Sequence, residues 1–302
     1  MPPPPATQFA RVNGLSLAYA HWPGAPGAPA LLCLPHLTGH KLSFADLAAT
    51  LAPAYDVYAL DLRGRGESDR PAEGYGFAYH AADVLALADS LGLSEFGLIG
   101  HSFGATASVY LASIRPQRVR AVVLMDGGAD PRDDNLRAMY PTIAGLDEVF
   151  ASLDTYLAAM RAIPFFRDWD ASLERYFGAD VETLPDGRVR SRSSAPAIAR
   201  DLDAHFLYSM CLHFPALRCP TLFLRPAQGL LGDRGHVFSE AEAQAITRHI
   251  PRCRRADVPG CNHYTMLLKS GPPVLPEIQS FLESGHPLPL SARSAPGWGP
   301  GG

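Results

Sequence analysis

Gly100-His101-Ser102-Phe103-Gly104 reads G-x-S-x-G, and the residues on either side decide how it folds. Before it, Phe96-Gly97-Leu98-Ile99 is a short apolar run suited to a buried strand. After it, Ala105 to Ile114 is rich in Ala and aliphatic residues with no breaker, which suits a helix. A serine between a buried strand and a helix sits on a sharp turn that lifts its hydroxyl over the sheet edge. Glycines flank such a turn because a Cβ there would collide with neighbouring backbone. Five-residue patterns occur by chance, but the strand–turn–helix setting makes Ser102 a candidate nucleophile.

The same alternation continues outward from this turn. Phe9 to Val12 and Leu15 to His21 flank Asn13-Gly14, a strong hairpin signal. Ala30 to Leu34 is a continuous apolar run, typical of a strand covered on both faces. Leu42 to Leu51 has helical spacing, Val57 to Leu60 reads as a strand, and Tyr79 to Leu91 as a helix. Val119 to Met125 is another buried strand. Strands alternating with helices predict an α/β fold, a mostly parallel sheet with helices on both sides.

That rhythm stops after Gly128 and resumes at Pro220 with Thr221 to Leu224. The remainder reads as a helix from Ser239 to Ile250, a strand from Arg254 to Val258 and a helix from Val274 to Leu282. Ser239 and Glu242 form a capping-box pattern. Between 131 and 216 there are helical stretches and polar breaks but no clear strand, with a turn at Asp186-Gly187. The domain reading is a core of 1–130 and 217–284, a helical cap of 131–216, and a disordered Pro-, Gly- and Ser-rich tail of 285–302. An insert at this point lies over the strand ends where ligands bind in such sheets. Its aromatic residues, among them Tyr140, Phe150, Tyr156, Phe166, Tyr176, Phe177, Phe206 and Tyr208, supply the cap's own core, and some of them line an apolar pocket.

Composition narrows the class further. With 302 residues and 47% hydrophobic content, the chain can bury a large core. A formal charge of −4 gives no hint of nucleic-acid binding. Five cysteines without a CxxC pair or zinc-ligand spacing point to a reducing compartment. Met1 to Pro5 lacks the basic head and apolar stretch of a secretory signal, and no run reaches membrane-spanning length. The expectation is a cytoplasmic protein whose partner is a small molecule, with no nucleic acid, membrane, metal or cofactor. The sequence leaves the oligomeric state open.

From about residue 9 to 284 the chain resembles the α/β-hydrolase superfamily. The likeness rests on the Ser102 elbow, the Asp61-Leu62-Arg63-Gly64-Arg65-Gly66-Glu67-Ser68 turn, the cap position, and a late histidine in Asn262-His263-Tyr264. It implies an eight-stranded, mostly parallel sheet with an inserted helical cap, and a nucleophile–histidine–acid triad. The resemblance assigns His263 as the base, because the family carries its histidine after the last strand. His101 adjoins Ser102 but diverges from it, so it is read as packed. Two placements exist for the acid. The loop after Thr221–Leu224 offers Asp233, several residues late. Relatives such as haloalkane dehalogenases and zearalenone-type lactonases end the strand after the elbow helix with the acid, which here is Asp126. A right-handed crossover makes Val119–Met125 the neighbour of the Ser102 strand, which favours Asp126. The resemblance also implies an oxyanion hole from the N–H groups of Phe103 and Leu37. Relatives carry His-Gly-x before the second donor, whereas this chain reads Pro35-His36-Leu37. His36 therefore puts an imidazole near the pocket mouth.

These residues predict a serine hydrolase that cleaves a carboxylic ester or lactone of an apolar substrate through an acyl-enzyme. The same triad serves carbon–carbon hydrolysis of a diketone and thioester hydrolysis. From another class, the scaffold also builds non-catalytic ligand receptors, since fold alone does not establish activity.

Overall fold

The computed structural model describes residues 3–130, 145–166, 168–205 and 207–284. Eight strands form one sheet: β1 (Gln8–Val12), β2 (Leu15–Trp22), β3 (Ala30–Leu34), β4 (Asp56–Leu60), β5 (Phe96–His101), β6 (Val119–Met125), and the strands Thr221–Pro226 and Cys253–Val258. In space they run β1-β2-β4-β3-β5-β6, then Thr221–Pro226, then Cys253–Val258. β2 pairs antiparallel with β1 and β4, and every pairing from β4 to the far edge is parallel. This is the eight-stranded, mostly parallel sheet that the resemblance implied.

Local chemistry explains the elements. Asn13 and Gly14 both take positive φ (50° and 76°), as a two-residue hairpin turn requires. All five residues of β3 and of β4 are buried; β3 reads as an unbroken apolar run, and β4 does so after Asp56, whose carboxylate pairs with His21. Side chains alternate across the sheet. Leu32, Leu34, Leu98, Val122, Leu124 and Phe223 face one core, packed against helices Phe77–Ser90, Phe103–Ile114 and Glu240–His249. Leu31, Cys33, Ile99, Val123, Met125 and Leu222 face the other, under helices Ala45–Leu51 and Leu275–Glu283. The helical spacing of Leu42–Leu51 divides into a 3₁₀ turn, Lys41–Phe44, and a short α-helix.

Between β6 and Thr221–Pro226 lie the helices Leu153–Arg161, Ala171–Ala179 and Ala195–His205. Ser152 caps the first through a reciprocal box with Thr155, and Asp170 caps the second by accepting from Ser172 and Leu173 N–H. Against the sequence reading, this segment also holds a hairpin, Val181–Thr183 with Val189–Ser191. Its turn contains Asp186-Gly187, where Gly187 has φ 85°. Tyr156, Leu157, Phe166, Leu173, Tyr176 and Phe177 form a separate small core. Ile198 and Leu202, by contrast, join the main core, so Ala195–His205 belongs energetically to the body. Tyr140, Phe206 and the proposed tail of 285–302 lie outside the described residues. Among the described residues no helix is long and apolar enough to cross a membrane.

Candidate active site

Ser102 ends β5 with φ 54° and ψ −118°, a left-handed backbone in a non-glycine residue. Such strain persists only where the surroundings hold it. Here Ser102 N–H donates to Met125 O at 2.9 Å, and Ser102 O accepts from Ala105 N at 2.9 Å. Gly104 lets the next helix press onto the loop after β3: a Cβ there would lie 2.1 Å from Leu34 O. That close approach brings the first helical N–H groups toward residues 35–37.

Parallel pairing of β5 with β6 sets His101 against Met125, so Asp126 emerges at the same edge as Ser102. Gly127 confirms how tight the junction is, because a Cβ on it would meet Ser102 O at 2.2 Å. Asp126 is 1% exposed, takes φ 41°, and its N–H donates to Leu224 O at 2.8 Å. The neighbouring strand thus pins it from behind.

His263 arrives from the loop after Cys253–Val258. Its Nδ1 lies 2.7 Å from Asp126 Oδ2. The carboxylate accepts, so Nδ1 carries the proton of this contact, which in the neutral ring leaves Nε2 as the acceptor. Asn262 shapes this loop: its Oδ1 accepts from Tyr264 and Thr265 N–H at 3.0 and 2.9 Å, and its Nδ2 donates to Phe165 O at 2.8 Å. His101, fully buried, donates from Nε2 to His263 O at 2.8 Å, with the two rings 4.7 Å apart. Burial pushes the His101 pKa well down, and the nearby His263 and His36 lower it further, so it is a neutral donor. Ser102 Oγ makes no hydrogen bond to a described residue. Catalytic hydrogen bonds commonly tighten only once substrate is bound.

The N–H groups of Leu37 and Phe103 have no hydrogen-bond partner among the described residues. Arg65 braces both: Nε donates to Leu37 O at 2.9 Å, and the guanidinium carbon sits 5.5 Å from the Phe103 ring centre. Arg65 is itself wholly buried and pairs with Asp201 of the helix Ala195–His205 at 2.5 Å. The sequence reading treated this segment as a turn and missed Arg65; its partner lies 136 residues away, beyond any local pattern. His36 is buried beside the site, with Nε2 3.0 Å from Tyr176 Oη. Burial first, then the neighbouring His263, His40 and Arg65, lower its pKa to about 3, so it stays neutral.

The structure therefore brings Asp126 and His263 together next to Ser102, with Leu37 and Phe103 alongside. It does not bring Asp233 to them. Asp233 is exposed in a tight loop closed by Gly229 N–H to Gly232 O at 2.6 Å and Leu231 N–H to Arg234 O at 3.0 Å. Among the described residues no cluster of three His, Cys, Asp or Glu is arranged to hold a metal ion.

The family model of the alpha/beta hydrolase fold matches residues 29–270. The chain belongs to the α/β-hydrolase family. It is an enzyme of that type. N-formylmaleamate deformylase of Pseudomonas putida is 29% identical over 258 residues, covering 83% of this chain and 87% of the relative. A 2-(acetamidomethylene)succinate hydrolase of Mesorhizobium japonicum is 28% identical over 239 residues, covering 78% and 82%. The crystal structure of E-2-(acetamidomethylene)succinate hydrolase superposes with a TM-score of 0.81 at 23% identity, over 92% of this chain and 99% of that one. That last likeness speaks for the shared α/β-hydrolase fold.

Proposed function

We propose that this α/β-hydrolase is a serine hydrolase that cleaves a carboxylic ester or lactone through an acyl-enzyme. The observation that carries the reading is the buried 2.7 Å contact of His263 Nδ1 with Asp126, set one strand from a strained Ser102. His263 Nε2 takes the proton of Ser102 Oγ as that oxygen attacks the substrate carbonyl. The developing oxyanion accepts from the Leu37 and Phe103 N–H groups. His263 then gives its proton to the leaving oxygen, and the ester or lactone C–O bond breaks. Water attacks the acyl-enzyme with His263 again as base, which frees the acid and restores Ser102. Asp126 holds the imidazole tautomer and stabilises its protonated form. The substrate is a small molecule with an apolar body, in keeping with the aromatic cap.

A second reading, hydrolysis of an acylated nitrogen, is favoured by the names of the two curated relatives, a deformylase and an acetamido-compound hydrolase. The same steps apply, with nitrogen in place of oxygen as the leaving atom. A fluorophosphonate probe tests the shared nucleophile: an adduct on Ser102 is expected, and its absence favours a receptor. Matched p-nitrophenyl esters, lactones and N-acyl compounds then separate the two. Turnover of the N-acyl compounds alone overturns the ester reading.

A further inference from the structure

A cavity of about 290 Å³ lies between cap and core, beside the site just described. It touches His36 and Tyr264, the residues next to Leu37 and His263. Rings supply much of the remaining wall, including Phe150, Tyr156, Phe165 and Tyr176, and among the described residues no Lys or Arg lines it. Two carboxyls of the described residues line it, the exposed Glu148 and Asp180, which is 8% exposed. Tyr156 Oη and Ser191 Oγ both donate to its Oδ2, at 2.5 and 3.2 Å. Oδ1 has no hydrogen-bond or ion-pair partner among the described residues.

We propose that this cavity is a subsite for a substrate group that is apolar along its length and ends in a protonated amine, anchored by Asp180 Oδ1. The inference rests on the serine-hydrolase reading and names its substrate class. Three observations combine. Aromatic faces attract a cation, because the ring quadrupole is negative above the plane. A buried carboxylate with an open oxygen calls for a charged donor. An anionic tail would meet Asp180 and Glu148, with no Lys or Arg among the described lining residues to offset them. Burial pushes the Asp180 carboxyl up to about 7, with Tyr156, Ser191 and Arg192 opposing that rise and Asp61 adding to it. An arriving ammonium would supply the opposite charge that this carboxyl lacks within ion-pair distance. The volume suits a substituted ring, near the lower end of small-molecule pockets.

The test compares two p-nitrophenyl benzoates, one with a 4-dimethylaminomethyl group and one with the neutral isostere, 4-isobutyl. Wild type is expected to prefer the amine ester at least tenfold in kcat/KM, through KM. Asp180→Asn should erase the preference while the isobutyl ester keeps its kcat. Met160→Lys, which sets an ammonium in the same wall, should erase it independently and decides the matter if Asp180→Asn does not fold. No preference in wild type, or a preference that survives in a folded variant, overturns the proposal. If neither ester turns over, the ester reading has failed separately. Calorimetric binding of N,N-dimethylbenzylamine then judges the subsite: wild type should bind at least tenfold more tightly than Asp180→Asn, and equal binding overturns it.

Discussion

Among the described residues, two buried aspartate–histidine pairs look alike in distance and differ in chemistry. In one, His263 offers Nδ1 to Asp126, at the sheet edge that carries the strained Ser102. In the other, His80 turns Nε2 to both oxygens of Asp201 at 3.0 Å, and its Nδ1 is buried without a partner. Asp201 also holds Arg65, and its carboxyl accepts from Gly76 N–H at 2.6 Å. Burial alone would raise the Asp201 pKa, but His80 and Arg65 overcome that and hold it well below the usual range. The first pair lies at the sheet edge that carries Ser102. In the second the carboxylate is saturated and the free ring nitrogen is sealed in the interior, and the pair joins the helix Ala195–His205 to the body. A buried carboxylate–imidazole contact becomes a candidate proton relay only when the remaining ring nitrogen opens onto a site rather than into the core.

Activity separates the pairs most sharply. Asp126→Asn should lower kcat by about 10⁴ with little change in unfolding free energy, because the wrong imidazole tautomer is then favoured. Equal turnover by the variant and wild type would place the acid elsewhere. Stability separates them in the other direction. Asp201→Asn leaves the buried Arg65 charge uncompensated and should cost about 3–5 kcal/mol in urea unfolding. A cost below 1 kcal/mol would show that Arg65 finds other partners.

Asp180 is a further buried acid, and its pH signature is opposite to that of Asp201. Its folded pKa, pushed up to about 7, exceeds the ordinary carboxylate value of 3.8. The folded state therefore binds more protons between those values, and stability contributed by this group falls as pH rises from about 4 to 7. Asp180→Asn should remove that slope, worth up to about 1.4 kcal/mol per pH unit, in unfolding measured across the window. A parallel pH profile for variant and wild type would sink the assignment. The smallest effect belongs to Asp233→Asn, expected to leave turnover unchanged and stability within about 0.5 kcal/mol, as for an exposed loop residue.

The sheet was legible because its strands are buried on both faces and so read as apolar runs between helices. Asp126 was legible for a topological reason: β5 and β6 are joined by a helix, and the hand of that crossover fixes their adjacency. The hairpin Val181–Thr183 with Val189–Ser191 went unread because three residues per strand give too short an alternation, although Asp186-Gly187 marked its turn. Arg65, Asp201 and Asp180 were hidden for another reason. Their meaning lies in partners and burial that arise only when distant segments meet, Arg65 with Asp201 across 136 residues. His36 was flagged by its departure from glycine, and its contact with Tyr176 shows what the larger side chain reaches.

Asn262 has a consequence for how this enzyme can change. One end of its amide fixes the turn that delivers His263, and the other grips Phe165 in the roof of the cavity. Remodelling that roof to admit a bulkier guest therefore drags on His263, the base of the proposed mechanism. New specificity reached through residues near Phe165 should come with slower chemistry until a compensating change frees the two.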